Sequence, residues 1–398
     1  MQIPVLRREE AEKTVIEARF HDSIDDIAAS AWDALRPDDN PFLSHAFLAG
    51  LERTGCIRPE WGWQAHHLGL YRNRTLIAAA PLYLKGNSHG EFVFDWSWAS
   101  AWEHAGGQYY PKLLNAVPYS PVTGPRLLAG TDPAHAPELR ELLVEAMRQQ
   151  AQRLQLSSTH ANFLAEADLA AFDDDWMERS DVQFHWHNQG YADFDAFLAA
   201  LNHKKRKNIR HERKHVAAHG LHIGTVGGAE LSAREWRRVH ALYTSTFDAK
   251  GNHAALTEAF FQYLRKELGN TVQLALARQD DEIVAMALML RSATTLYGRY
   301  WGASVDLPDL HFELCYYQGI EYAIAQGLQR FEPGAQGEHK LARGFLPVRT
   351  HSRHYLLNES FRAAVRRALA QECEGVNAYA EELLDHSPYA RDALIKST

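Results

Sequence analysis

The chain has 398 residues, with 42 Lys and Arg against 50 Asp and Glu and a formal net charge of −8. That length supplies cores for two or three domains. The acidic balance excludes a general nucleic-acid binder, so any polyanion site has to be local.

Three cysteines, Cys56, Cys315 and Cys373, lie far apart with no CxxC pair. This argues against a disulfide framework or zinc knuckle and fits a reducing compartment. The N-terminal MQIPVLRREEAEK is charged, without the apolar centre of a signal peptide. No run approaches the roughly 20 apolar residues of a spanning helix, so a cytoplasmic protein with no membrane span is expected. His66-His67 and His185-x-His187 are paired among 22 histidines. A metal site needs third and fourth ligands at suitable spacing. None is offered, so no metal is expected and these histidines are read as strand residues with ordinary hydrogen-bond partners.

After a polar leader, residues 23–35 read as a helix, 37–41 as a break and 44–54 as an apolar helix. Residues 63–71 and 75–85 read as strands joined by a tight turn at Arg72-Asn73-Arg74. Residues 91–98 (EFVFDWSW) read as a third strand from their aromatic alternation. An irregular stretch over 101–128 follows, and a loop that long is usually functional. An amphipathic helix over 137–154 and strands at 159–164 and 182–188 lead to a domain boundary at Gly190.

The second half opens with one long helix predicted over 193–218. Arg206, Lys207, Arg210, Arg213 and Lys214 share a face, with Leu198, Leu201, Ile209 and Val216 opposite. Seven Lys or Arg against one Glu between His203 and His215 read either as a solvated basic face or as a phosphate-binding ridge formed by Arg206, Lys207, Arg210 and Arg213. A strand at 221–226 follows. Ser232 with Glu235 forms a capping box for the next helix, and another spans 256–268. The three-strand design then recurs at 272–278, 282–291 and 294–302, an internal repeat of the 63–98 segment. A helix over 311–326, a strand at 328–332, the loop EPGAQGEHKLARGFLP (332–347), a strand at 350–356 and a helix at 361–384 complete the chain.

The order strand–strand–strand–helix–strand–helix–strand, present twice, resembles tandem GNAT N-acyltransferase domains of the FemAB type. The strings APLYLK, GEFVFDWSWA, YYPKLLNAVP, SPVTGPRLL, LYGRYWG, LHFELCYYQ and GAQGEHKLARGFLP resemble one bacterial family over residues 40–385. It is the predicted N-acyltransferase family labelled peptidoglycan biosynthesis/recognition protein. The resemblance implies an α/β fold with mixed sheets and two GNAT-like domains, 1–190 and 191–398, with a cleft between them. It also implies transfer of an acyl or aminoacyl group to an amine of a cell-wall precursor, peptide or small metabolite. GNAT domains that bind acyl-CoA usually carry a glycine-rich pyrophosphate loop, Q/R-x-x-G-x-G/A, after the fourth strand. Here that segment is residues 303–309 (ASVDLPD), acidic and without glycine. FemAB-type enzymes use charged tRNA and dispense with the loop. Acyl-CoA and aminoacyl-tRNA therefore both stand as donors, with tRNA as a partner and no DNA, and no cofactor is expected to be bound permanently.

Acyl transfer needs a base, oxyanion donors and a proton for the leaving group. Glu338 and His339 are the base candidates, each also readable as an exposed polar side chain. Glu313, on an aromatic helix, needs a partner. Arg299 or Lys340 could supply it, in a structural or a catalytic pair. Tyr297 and Tyr300 are read as leaving-group donors or as packing. Asp95, Glu103, Tyr110 and Lys112 are assigned to an acceptor pocket beside Trp96, Trp98 and Trp102, which either stack on a ring or fill the core. Arg299, Lys340 and Arg343 complete the substrate-binding set. The rival reading is a non-catalytic protein that recognises a peptidoglycan fragment or a nucleotide-linked ligand.

Overall fold

The computed structural model describes residues 3–5, 15–248, 251–335 and 337–390. The expected polar leader falls largely outside them, as does Gln336 in the glycine-rich loop. The chain packs as two units, Met1–Asp181 with Thr350–Asn377, and Val182–Arg349 with Ala378–Thr398. The boundary expected at Gly190 lies just past the first crossing. The second crossing was not foreseen: residues 350–377, assigned by sequence to the second domain, belong to the first.

In the first unit, Ile3–Val5 (β1), Ile16–His21 (β2), Trp63–Ala65 (β3), His67–Arg72 (β4), Thr75–Ala80 (β5) and Leu82–Lys85 (β6) divide between two sheets. Pro81 has no N–H to give a ladder, and there the predicted 75–85 strand splits. β5 joins the β1-β2-β4-β5 sheet, while β6 pairs with β3. The predicted 63–71 strand splits at the same level, where His66 N donates to Leu82 O at 2.8 Å. Asn73 and Arg74 both take positive φ, 50° and 67°, as a tight hairpin turn requires.

The helices of this unit are Ala29–Asp33 (α1), His45–Arg53 (α2), Trp96–His104 (α3), Ala136–Arg153 (α4) and Glu166–Leu169 (α5). Ser44 caps α2 by accepting from Phe47 N at 3.1 Å. Along α4 the apolar stripe Leu139, Leu143, Ala146 and Met147 packs on Leu68, Leu70, Ala78 and Ala80. Each large side chain buried this way contributes roughly 1.5–3 kcal/mol.

Residues 91–98 are not the expected strand. Phe92 takes φ 62° and α3 begins at Trp96. The alternation misled because Glu91 and Asp95 point inward, to a lysine on Lys112–Asn115 (β7). Phe94 and Trp96 are left 36% and 50% exposed.

β6 and β7 are antiparallel, β7 and Ser158–Ala161 (β8) are parallel, and Met177–His187 (β9) then runs from the first unit into the second. The predicted helix over 193–218 is two helices, Phe194–Ala200 (α6) and His203–Ala217 (α7). Asn202 breaks it, its side chain capping α7 through Lys205 N at 3.0 Å.

His222–Gly227 (β10), Ala233–Asp248 (α8), Glu258–Glu267 (α9), Val272–Gln279 (β11), Glu282–Arg291 (β12) and Thr295–Ala303 (β13) follow. β10 to β13 form an antiparallel series, and the near-continuous apolar runs of β11 and β12 are buried throughout their centres. Ser232 and Glu235 make the expected capping box at the start of α8, with Ser232 N donating to Glu235 at 2.8 Å. Leu310–Phe312 (α10) continues through a π-helical turn, Glu313–Tyr317, into Gln318–Ala325 (α11). Arg330–Glu332 (β14) pairs parallel with β13 and antiparallel with the end of β9. Leu346–Leu356 (β15) and Glu359–Asp385 (α12) close the chain, and the end of β15 pairs with β8.

The two units thus repeat one plan: an antiparallel series, one parallel pair, then an antiparallel closing strand. The closing strands are exchanged along the sequence. Unit one is closed by the end of β15, and unit two by the end of β9.

Candidate active site

In the second unit, the parallel pair β13–β14 ends at Tyr297 opposite Glu332. β13 runs on against β12, while the chain after β14 turns away at Pro333-Gly334. Gly298 lets the loop pass close by, since a Cβ there would sit 3.2 Å from Pro333 Cα. The loop then winds into a short 3-10 helix, Glu338–Arg343. Lys340 Nζ donates to Gly334 O at 2.7 Å. Gly337 has φ 115°, and a Cβ on it would lie 2.4 Å from the His339 ring, so only glycine fits without strain.

Facing this loop is the π-helical turn. A π turn is wider than an α turn and re-aims consecutive side chains. Tyr316 meets His339, its hydroxyl 2.8 Å from Nε2. Tyr317 donates to Glu212 on α7 in a very short hydrogen bond. Phe312 and His311 stand 5.7 and 6.3 Å from the His339 ring, centroid to centroid. Burial against these rings lowers the basicity of His339, and the cations of Arg343 and Lys340 lower it further. Burial pushes the Tyr316 phenol well above its ordinary range. Burial also brings Lys340 down to about 8, with Arg299 adding to the shift. The arrangement therefore sets an imidazole of lowered basicity beside a phenol that keeps its proton.

The structure brings together some of the residues expected here and separates others. Glu338 is exposed and accepts from Tyr379 OH at 2.6 Å. Glu313 is paired, but with neither Arg299 nor Lys340: Arg213 holds it in a fork, Nε and Nη2 lying 3.1 and 3.0 Å from its oxygens. Arg213 also reaches Glu321 at 2.8 Å, which takes it out of the expected phosphate set. Arg210 pairs with Asp195 at 3.2 Å, and Arg206 turns back toward Ala199 O at 3.5 Å. Lys207 is exposed, along with Lys204 and Lys214. Tyr297 is 3% exposed, an interior residue, and the Arg299 guanidinium lies 5.3 Å from the Tyr300 ring. Sequence reasoning missed Glu212, Phe312, Tyr316 and Tyr317. The one acid in a run of seven cations was a signal for Glu212.

The acceptor pocket expected in the first unit is an enclosed charge cluster. Lys112 Nζ donates to Ser88 at 3.1 Å, Glu91 at 2.7 Å and Asp95 at 2.6 Å. Lys112 and Asp95 are each 1% exposed, and Trp98 packs with His354. Tyr110 is half-buried on Ser88 at 2.7 Å, and Glu103 is exposed on α3. Burial raises Glu91 to about 7. It would raise Asp95 too, but the Lys112 cation, with hydrogen bonds from Lys112 and Ser88, holds that carboxyl well below its usual range. As found, Asp95, Lys112 and Trp98 offer no surface to a ligand. Past the parallel pair β7–β8, where the second unit has its loop, the first is filled. Arg126 is fully buried there, its Nε on Asn162 O at 3.0 Å and its amide on Asp168 at 2.6 Å.

A groove of about 840 Å³ in the second unit lies elsewhere, between β10 and α11, with Arg213, Thr225, Gln318, Glu321 and Tyr322 in its walls. Its lining holds no histidine and its Glu321 is paired with Arg213, so the imidazole–phenol pair rather than volume makes His339 the candidate. Among the described residues, no three His, Cys, Asp or Glu are grouped to hold a metal ion, and no helix is long and apolar enough to cross a membrane. His67 bonds Glu52 at 2.7 Å and His185 bonds Gln183 at 3.2 Å, the ordinary partners expected of strand histidines.

Two units of this plan define a tandem GNAT-like protein with a mixed α/β fold. The chain belongs to the FemAB-like family, described as peptidoglycan biosynthesis/recognition, whose profile matches residues 23–391. No curated protein matches the sequence. Among solved structures it is similar to FemX, with TM-score 0.51 and 11% identity over 85% of this chain and 98% of that one. It is also similar to the C-terminal domain of a putative lysylphosphatidylglycerol synthetase from Agrobacterium fabrum, with TM-score 0.50 and 11% identity over 85% and 95% of the two chains.

Proposed function

We propose that the protein transfers an acyl or aminoacyl group from an activated carrier to the amine of a cell-wall precursor, peptide or small metabolite, with the chemistry in the second unit. The observation that carries this reading is the Tyr316–His339 pair beyond the parallel strands β13–β14. With its proton on Nε2, His339 donates to Tyr316 and leaves Nδ1 as the base. The amine nitrogen attacks the acyl carbonyl carbon and a C–N bond forms, while the bond from that carbon to the carrier's oxygen or sulfur breaks. The proton lost by nitrogen goes to His339 Nδ1, which returns it to the departing carrier atom. The Tyr316 O–H donates to the oxyanion in between.

The donor best matched is aminoacyl-tRNA. The turn that would hold a pyrophosphate is acidic, with Asp309 at φ 70° accepting from His215 at 3.0 Å. Lys204, Lys207 and Lys214 stand exposed on α7, and cations so placed suit a polyanionic carrier. The fold shared with a putative lysylphosphatidylglycerol synthetase fits an aminoacyl cargo. The rival is a non-catalytic binder of peptidoglycan fragments or nucleotide-linked ligands.

The test offers bulk aminoacyl-tRNA and, separately, acetyl-CoA as donors, with hydroxylamine and a lysine-containing tetrapeptide as acceptors. Transfer from aminoacyl-tRNA, lost in His339→Ala and reduced in Glu338→Gln while tRNA affinity is kept, supports the reading. No turnover with either donor favours the binder, and tight acetyl-CoA binding would overturn the argument from the acidic turn.

A further inference from the structure

The loop that carries His339 is not held by its own backbone alone. Arg343, four residues on, is 8% exposed and spends its guanidinium on three different elements. Nη1 donates to the carbonyl of His339 at 2.8 Å, Nε to Tyr317 OH at 3.1 Å and Nη2 to Glu212 at 2.8 Å. The guanidinium carbon lies 3.4 Å from the centroid of the Phe312 ring. Glu212 closes the circuit by accepting from Tyr317 with its other oxygen.

Each contact bears on the position of His339. The carbonyl bond fixes the residue's backbone. Tyr317 follows Tyr316, so the bonds to Tyr317 fix the turn that presents the Tyr316 hydroxyl. Phe312 is both the platform under Arg343 and a wall beside the His339 ring, 5.7 Å away. Glu212 comes from α7, whose next residue, Arg213, grips Glu313 at the other end of the same π turn. One helix therefore braces both ends of the turn, and its single acid reaches the loop. A planar fork on an aromatic face is something arginine provides and lysine does not.

We propose that Arg343, clamped by Glu212 and seated on Phe312, is the positioning residue that holds His339 and Tyr316 in register for proton transfer. The role goes beyond the identity of the base, and its kinetic part rests on the proposed activity. Neither residue needs to touch the substrate. A group misplaced by about 1 Å loses on the order of 100-fold in rate, and that is the scale of effect expected.

Three variants test it: Arg343→Lys keeps the charge and removes the fork, Arg343→Met removes both, and Glu212→Gln removes the clamp's charge and keeps its shape. Two readouts are used. One is the NMR titration of the His339 ring in ligand-free protein, assigned by its absence in His339→Ala. The other is kcat and KM for aminoacyl-tRNA with hydroxylamine. In Arg343→Lys, kcat falls about 10- to 100-fold with KM changed less than about twofold, and the ring resonance broadens or moves. In Arg343→Met the titration midpoint also rises, because a neighbouring cation has gone. Glu212→Gln gives the same pattern more weakly, and it carries the test if the Arg343 variants do not fold.

Unchanged kcat and an unchanged His339 resonance in folded Arg343→Lys overturn the proposal. So does a loss of rate that only tracks the loss of folded protein. If His339→Ala is fully active, the catalytic reading fails by itself, and the titration still decides whether Arg343 fixes the ring.

Discussion

Lys112 offers a sharp test of how the first unit is held together. Its ammonium group uses three donors on Ser88, Glu91 and Asp95, at 3.1, 2.7 and 2.6 Å, and only 1% of the residue is exposed. Replacing it with methionine keeps most of the volume and removes the cation that bonds both carboxylates, while the nearby Lys85 donates instead to His89 O at 3.0 Å. Breaking a buried pair from one side costs about 3–5 kcal/mol. Glu91, already raised to about 7, takes up a proton cheaply. Asp95 does not, because its ionised form also accepts from Tyr109 OH at 2.5 Å and from Ser88. Most of the cost therefore sits at Asp95. Asp95→Asn alone leaves Lys112 paired with Glu91 and costs about 1–3 kcal/mol. Once Lys112 is gone, removing the Asp95 charge relieves the cluster, so Lys112→Met/Asp95→Asn is no less stable than Lys112→Met. Urea unfolding followed by circular dichroism gives all four corners of the cycle, with an interaction energy at least equal to the Asp95→Asn cost, about 1–3 kcal/mol, expected. Additive single effects, or a Lys112→Met cost below about 1 kcal/mol, would refute the buried-cluster account and reopen Lys112 as a ligand-facing residue.

Acid sensitivity follows from the buried histidines. His160 is brought down to about 3 by burial and by Lys112, His354 is held well below its ordinary value by burial and by His160, and burial with Arg330 brings His185 to about 3. All three stay neutral in the folded chain but take protons in the unfolded chain below about pH 6.5, so their stability is fully present above that pH and lost as pH falls. Between pH 7 and 5 the loss is about 2 kcal/mol per group. Urea midpoints at pH 7 and pH 5 measure it, and a His160→Gln/His354→Gln variant should show a flatter slope; parallel curves would contradict the account. Gly337→Ala puts a Cβ at φ 115°, 2.4 Å from the His339 ring. It should cost about 1–2 kcal/mol by thermal unfolding and at least about tenfold in kcat. Full activity would show that the ring position seen here is not the working one.

Local rules in the sequence determined much of this protein. The turn at Asn73-Arg74, the capping box at Ser232 and Glu235, the α4 stripe and the β11–β12 hairpin depend on neighbours within a few residues, and each was readable from spacing alone. The repeated strand order and the odd strings shared with one family determined the fold class. Breaks were harder to see: Pro81 and Asn202 divide elements that periodicity ran together, because hydrophobic spacing continues across a residue that withholds or redirects a single hydrogen bond.

Only tertiary structure decided the rest. The exchange of β9 and β15 between units is a long-range pairing that no local pattern encodes. Residues 91–98 alternate like a strand, yet Lys112, distant in sequence, draws Glu91 and Asp95 inward and leaves Phe94 and Trp96 outside. The loop EPGAQGEHKLARGFLP was legible as chemistry, from glycines beside Glu338 and His339. Its partners were not. Tyr317 meets Glu212 across 105 residues of chain, and Arg343 meets it across 131. A sequence names the groups able to exchange a proton, but distance in space sets which of them can, and the fold supplies that distance.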